Sequence, residues 1–229
     1  VVDDNSTDHS CEVIKRIAAT DQRIQVLCNQ SNQGTYINRN RIFKAAKGKY
    51  FTILDADDYA LPDRIEAQVA VLEDNAQYLA THSNWIRLSA EGKAHFKLWT
   101  GRYSHESVAT LMVRTQAIRE RIGFWDSVRI AADTEYLHRI HRVFGKEHVY
   151  FMQRPTTFAL YHEQSLTRCK QTGISEEEGL SPVRVNYRVA WKQWHSSVVN
   201  DEALFLDFPL QQRPFQLPNG MPIGGDQGA

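Results

Sequence analysis

Short apolar runs alternate with stretches of helically spaced apolar residues along the first half of the chain, a pattern that predicts strands separated by helices. Val1 and Val2 read as the tail of a strand that ends in the turn and cap formers Asp3, Asp4, Asn5, Ser6, Thr7 and Asp8. Val13, Ile14, Ile17 and Ala18 share one face of a helix, residues 23–28 form a short β-branched strand, and residues 29–34 form a polar loop. A basic helix over 35–47 closes at Gly48. Residues 50–54 make a buried strand, and Pro62 opens a helix whose buried stripe is Ile65, Val69 and Leu72. This succession fits right-handed βαβ units and a parallel sheet covered on both faces, with ligands expected beyond the carboxyl ends of the strands.

The second half changes character. Residues 79–83, 85–88, 95–98 and 109–113 read as shorter strands with polar alternation, expected to be mixed or antiparallel. Gly123, Phe124, Trp125 and Asp126 lead to a helix that opens with Ala131, Ala132, Asp133, Thr134 and Glu135. It buries Tyr136, Leu137, Ile140, Val143 and Phe144 and stops at Gly145. A strand over 156–161 then delivers His162 to an edge. After an acidic hinge at 175–178, Ser181-Pro182 starts a helix with Tyr187, Trp191, Trp194 and Val198 along one side, flanked by Arg184, Arg188 and Lys192. That stripe packs on the parent domain or forms a partner, lipid or sugar surface. From Pro209 onward, four prolines and four glycines predict an extended arm or a disordered tail.

Composition narrows the picture by exclusion. The 229 residues suffice for one large or two small domains. Lysine plus arginine equal aspartate plus glutamate at 27 each, so no global field points to nucleic acid or an anionic membrane. Local clusters must carry any anion binding. Cys11, Cys28 and Cys169 are odd in number, widely spaced and without a CxxC, which argues against a disulfide framework or a structural zinc site and fits a reducing cytosol. No apolar run approaches the ~20 residues of a membrane span.

Candidate chemistry gathers where the strand 50–54 ends in Asp55, Asp57 and Asp58. Carboxylates crowded at a strand end repel one another, and a hard divalent cation, Mg²⁺ or Mn²⁺, supplies the counter-charge. Asp55 and Asp57 leave the strand on one face and can meet one metal and the phosphate that shares it. The plainer alternative is a turn before a Pro-led helix. Asp3 and Asp4 close another strand end, which puts both acidic clusters on one cleft. Asp133 and Glu135 sit in a helix first turn, which the dipole favours by about 0.3–1 kcal/mol each on structural grounds alone. Arg39 on its basic helix also reads as part of a solvated face, and a lone His162 at a strand end as a surface residue.

In order along the chain, VVDDNSTD, NQGTYINRN, the strand ending in DADD before a Pro-led helix, and GFWD followed by AADTEYLHRI resemble the nucleotide-sugar glycosyltransferases of family 2, over residues 1–168. The resemblance implies the GT-A fold. This is a Rossmann-like α/β domain with a mostly parallel sheet between helices, a smaller mixed acceptor-side sheet and, here, a C-terminal helical extension. It divides the chain into a nucleotide-sugar half at 1–83, an acceptor and catalytic-base half at 84–175, and a C-terminal helix and tail at 176–229. It also leads us to expect residues before Val1 in the natural protein. Asp4, with Asp3 beside it, would take the base and ribose. Asn32, Gly34 and Arg39 would form the loop and basic helix against the nucleotide. Asp55 and Asp57 match the DXD motif, with Asp57 the more direct metal ligand and Asp55 also facing the nucleotide sugar, and His162 would contact metal or diphosphate. Asp133 matches the general base, with Glu135 in reserve.

The reaction implied is inverting, metal-assisted transfer from a nucleoside diphosphate sugar, a UDP-sugar foremost, to a glycan or glycolipid hydroxyl in polysaccharide biosynthesis. The setting is cytoplasmic, with or without peripheral attachment at the inner face of the membrane, and without a nucleic-acid partner. Two departures stand out. The Pro-x-Tyr-Asn-like opening segment is absent, and Ala132 precedes Asp133 where relatives often carry a second acid. Two rivals remain. One is a phosphatase of the haloacid dehalogenase type with Asp55 as nucleophile and Asp57 as acid, and the other a non-catalytic nucleotide-sugar-binding module.

Overall fold

The structure, a computed structural model, describes residues 1–98, 100–162, 165–169, 171–175 and 179–225. Strand β1 (Val2–Asp3) pairs in parallel with β2 (Leu27–Cys28), Asp3 opposite Cys28, and helix α1 (Ser10–Ala18) makes the crossover. The apolar face expected of α1 is not buried: Val13 and Ile17 are 39% and 51% exposed, and the helix buries no residue. A disulfide between Cys11 and Cys28 fastens α1 to β2, correcting the expectation drawn from cysteine spacing. The crossover that lays α1 beside β2, rather than proximity in sequence, brings the two sulfurs together.

Helix α2 (Thr35–Ala45), β3 (Tyr50–Thr52), β4 (Asp58–Ala60) and α3 (Arg64–Asp74) follow as the pattern predicts. Then come β5 (Ala80–Leu88), β6 (Ser104–Arg114), α4 (Thr115–Arg121), α5 (Ala132–Phe144) and β7 (Val149–Leu160). The large sheet has the order β3-β6-β5-β7-β4, with β5 and β7 parallel and the other pairings antiparallel. Among the strands of the described residues, parallel pairing is thus confined to β1–β2 and β5–β7; apolar periodicity reports burial and not strand direction, so the sequence does not show this. The strands expected at 79–83 and 85–88 are one β5 with register irregularities around Ser83 and Asn84, and residues 95–98 contribute only isolated bridges. Since β3 and β4 lie on opposite edges, the segment between them crosses the rim of the sheet carrying Asp55 and Asp57. Its tight course is closed by Asp58 N–H on the Asp55 carbonyl at 3.1 Å.

Of the expected stripe Ile65, Val69 and Leu72 on α3, only Leu72 is buried, and the polar Arg64 and Gln68 turn inward with it. Arg64, Gln68 and Leu72 are buried, whereas Ile65 is half exposed. Arg64 donates to Thr52 Oγ1 and to the Ile53 carbonyl, both at 3.0 Å, and Gln68 donates to the Thr110 carbonyl at 2.7 Å. These side chains satisfy backbone oxygens that would otherwise be buried without partners just before the acidic segment.

A short hairpin of β8 (Ile174–Ser175) and β9 (Gly179–Leu180) leads to α6 (Pro182–Ser197). Residues 176–178 of the expected acidic hinge lie outside the described residues. Tyr187, Trp191 and Trp194 of α6 join the same core as Phe43, Trp125 and Tyr136, so the aromatic stripe packs on the parent domain. Trp125 stacks on Tyr136 at 4.0 Å and meets Phe43 edge-on at 5.5 Å, which holds the GFWD segment between α2 and α5. The Pro- and Gly-rich stretch up to residue 225 is a strap laid back over the domain. Arg129 N–H donates to the Pro222 carbonyl at 2.9 Å, and Gly225 N–H to the Gln33 carbonyl at 2.8 Å. No helix of the described residues is long and apolar enough to cross a membrane.

Candidate active site

A cavity of about 410 Å³ opens at the rim crossed by the acidic segment, and Asp55, Asp57, Asp58 and Asp133 all line it. Asp55 and Asp57 come from the β3–β4 connection, Asp58 from the start of β4 and Asp133 from the first turn of α5. Ala131, immediately before α5, takes the left-handed conformation with φ 67°, a sharp corner that sets the direction of the helix start. Asp133 and the 55–58 segment therefore meet across one cleft, whereas Asp3 and Asp4, expected to share it, do not line it.

The carboxylates sit in different surroundings. Arg39 reaches from α2, itself buried at 6% exposure, and one guanidinium nitrogen contacts both Asp55 oxygens at 2.6 and 2.8 Å. The alternative of a solvated Arg39 is overturned. His162 Nε2 lies 3.4 Å from Asp57 Oδ2, and both side chains keep access to solvent. Asp58 is pushed up to about 7 by burial and then by the charges of Asp55 and Asp57, which outweigh Arg87 and Arg64. Arg184, from α6, enters the same cavity beside Asp133 and feels its charge. Arg87 leans on the Trp85 ring at 4.8 Å and donates to Thr167 Oγ1 at 3.2 Å.

Glu135 is corrected as a reserve base. It is fully buried, bound by Arg139 at 2.8 and 3.0 Å and by His195 at 3.0 Å. Burial works against its ionisation, but the Arg139 charge and the His195 contact prevail and hold its pKa below the ordinary value. Arg139 also donates to the carbonyls of Ile122, Phe124 and Leu204, so this pair locks α5 to the loop before it.

Asp4 organises the donor-side loop. Its carboxylate accepts from Gln33 N–H at 2.8 Å, Gly34 N–H at 2.7 Å and the Asn29 amide at 2.8 Å. Burial opposes its ionisation, yet these bonds, with a further one from Asn38, keep its pKa lowered. Arg129 grips Asn32 through both the side-chain and backbone oxygens and packs over Gly34, whose φ of 87° favours glycine. Asp4, Asn32 and Gly34 are thus brought together beside the cavity, while Arg129 lines it. Asp3 is not brought to the site. It is buried and turned toward Cys11 and Cys28.

For a hard divalent cation the residues fit in part. Asp57 and His162 present ligand atoms 3.4 Å apart, near the ~2.9 Å between neighbouring ligands of an octahedral ion, with Asp58 beside them. Asp55 is already neutralised by Arg39, so Asp57 and His162 are the available protein ligands. The sequence marks neither Arg87 nor Arg129, and places Arg184 only beside the aromatic stripe of the C-terminal helix. For Arg87 the signal was its i,i+2 relation to Trp85 on β5, which puts both on one face of the strand. The other two are set by tertiary placement alone.

Comparison with known proteins adds a family. The profile for glycosyl transferase family 2 matches residues 1–125. An uncharacterized glycosyltransferase of Haemophilus influenzae is 36% identical over 92 residues, which is 40% of this chain and 36% of that protein. The putative teichuronic acid biosynthesis glycosyltransferase TuaG of Bacillus subtilis is 32% identical over 76 residues, 33% of this chain and 30% of TuaG. Among solved structures, S. aureus TarS residues 1–349 with UDP-GlcNAc superposes with a TM-score of 0.56 at 16% identity, covering 72% of this chain and 50% of TarS. GalNAc-T7 with UDP, GalNAc and Mn²⁺ gives a TM-score of 0.52 at 14% identity over 86% of this chain and 44% of that one. The chain therefore spans about half or less of these relatives, and its fold is the GT-A fold of glycosyltransferases.

Proposed function

The chain belongs to glycosyl transferase family 2, and from that premise we propose that it moves a sugar from a nucleoside diphosphate donor, foremost a UDP-sugar, to a glycan hydroxyl with inversion. The observation that carries this reading is Asp133 lining the same cavity as Asp55, Asp57 and Asp58. TarS and GalNAc-T7 were solved with UDP or a UDP-sugar, which supports a donor of that class.

The residues divide the work. Asp57 and His162 hold a divalent cation, Mg²⁺ or Mn²⁺, which when bound stabilises negative charge on a leaving diphosphate. Arg39 fixes Asp55 in place, and Arg87 adds positive charge at the same rim. Asp4 and Arg129 shape the loop at 32–34 that faces the nucleotide. Asp133 accepts the proton of the attacking hydroxyl, a contribution of typically 10²–10⁴-fold. Arg184 orients that carboxylate through its charge. The contact of one Arg39 nitrogen with both Asp55 oxygens argues against an Asp55 nucleophile, and so against the phosphatase alternative.

A thermal-shift screen of nucleotides and nucleotide sugars, each with and without Mn²⁺, tests the donor class. A ligand at 100 times its Kd stabilises the fold by about 2.7 kcal/mol. A shift for one nucleotide sugar that depends on Mn²⁺ is expected. No shift for any of them would reject the reading.

A further inference from the structure

Away from the cavity, Asp3, Cys11 and Cys28 bring one carboxylate oxygen and two sulfurs within 4.8 Å of one another. The three come from the end of β1, the first turn of α1 and the end of β2, and Asp3 and Cys28 are direct register partners. Asp3 is 5% exposed, yet its carboxylate takes a single hydrogen bond, from Ser6 N–H at 3.2 Å. Among the described residues no lysine or arginine pairs with it. That leaves carboxylate lone pairs available to a cation.

We propose that reduced Cys11 and Cys28, together with Asp3, hold one soft divalent cation of the zinc class beside the donor loop. Two thiolates and a carboxylate are a zinc-type donor set that leaves one tetrahedral position for water. Thiolates on such an ion sit about 3.8 Å apart, so the two sulfurs, joined in the disulfide, must separate on reduction before they can share it. The hard cation of the proposed transfer reaction prefers the all-oxygen and imidazole rim at Asp57, so the two sites select different metals. The disulfide and the metal exclude one another. Thiol–disulfide exchange with an external dithiol transfers two electrons and two protons, leaving two cysteine thiols and an oxidised dithiol. Metal binding then releases both thiol protons. The site adjoins the loop because Asp3 precedes Asp4, and Asn29, next to Cys28, donates to both Asp4 and Asn38 at 2.8 Å.

Cobalt(II) titration of the full chain tests this independently of sugar transfer, since sulfur-to-cobalt charge-transfer absorption reports only thiolate ligands. After anaerobic reduction, verified by counting free thiols, the band should saturate at one cobalt per chain and be displaced by zinc. Oxidation to the disulfide should abolish it. Cys11→Ser or Cys28→Ser should remove it, Asp3→Asn should weaken cobalt binding by about tenfold or more, and Cys169→Ser should change nothing. Absence of the band in the fully reduced chain, its survival in Cys11→Ser, or a disulfide that resists reduction in the folded chain would each overturn the proposal.

Discussion

Asp55, Asp57, Asp58 and Asp133 face one cavity, and their surroundings set them apart. Arg39 compensates Asp55, His162 approaches Asp57, and Asp58 is raised to about 7 by burial and by its two acidic neighbours. A carboxyl whose pKa is higher folded than unfolded favours folding only while it is protonated. Its cost therefore grows as pH rises from about 4 and levels off above about 7. Asp58→Asn removes that cost. The Tm of the variant relative to wild type should climb between pH 5 and pH 7 and then stay level, in the absence of metal. Parallel Tm curves for the two proteins would mean that Asp58 ionises normally. Arg39→Ala strands Asp55 with one face still wet, and a loss of about 1–3 kcal/mol in denaturant titration is expected.

At the scale of elements, α5 separates two roles that its sequence presents side by side. Asp133 opens into the cavity, while Glu135, two residues on, is locked with Arg139 and His195. Glu135→Ala leaves the Arg139 charge buried and unpaired, with an expected loss of 3–5 kcal/mol, about the cost of breaking such pairs. If the variant instead kept its stability and lost only turnover, Glu135 would belong to the chemistry.

The run ending in DADD and the start of α5 were legible because strand ends and helix first turns announce themselves through apolar runs and acidic caps. The inward polar stripe of α3 was not, since Arg64 and Gln68 are buried by backbone partners on β3 and β6 that no helical spacing reveals. Nor was the Cys11–Cys28 pairing, which depends on how the crossover helix α1 is laid against β2. Strand direction in the large sheet escaped for a related reason, because antiparallel β6 carries the same alternation that a parallel strand in that position would.

Across the whole molecule, the C-terminal third supports the site from behind. Trp191, 2% exposed, packs in the main core, Tyr187 donates to buried Asp126 at 2.9 Å, and Arg213 holds the other oxygen of Asp126. Trp191→Ala should cost about 3–5 kcal/mol. A cost near zero would show that α6 is an independent appendage. Arg184 rides on that same helix into the cavity, so a single packed body carries both the cation side and the base side of the proposed reaction.

That division is tested most directly by comparing Asp57→Ala with Asp133→Asn on the nucleotide sugar that gives the Mn²⁺-dependent thermal shift, measuring donor Kd and turnover in parallel. The account predicts that Asp57→Ala abolishes Mn²⁺-dependent donor binding. Asp133→Asn should keep the wild-type Kd and lose turnover by about 10²–10⁴-fold. Equal loss of donor affinity in both variants, or undiminished turnover in Asp133→Asn, would contradict it.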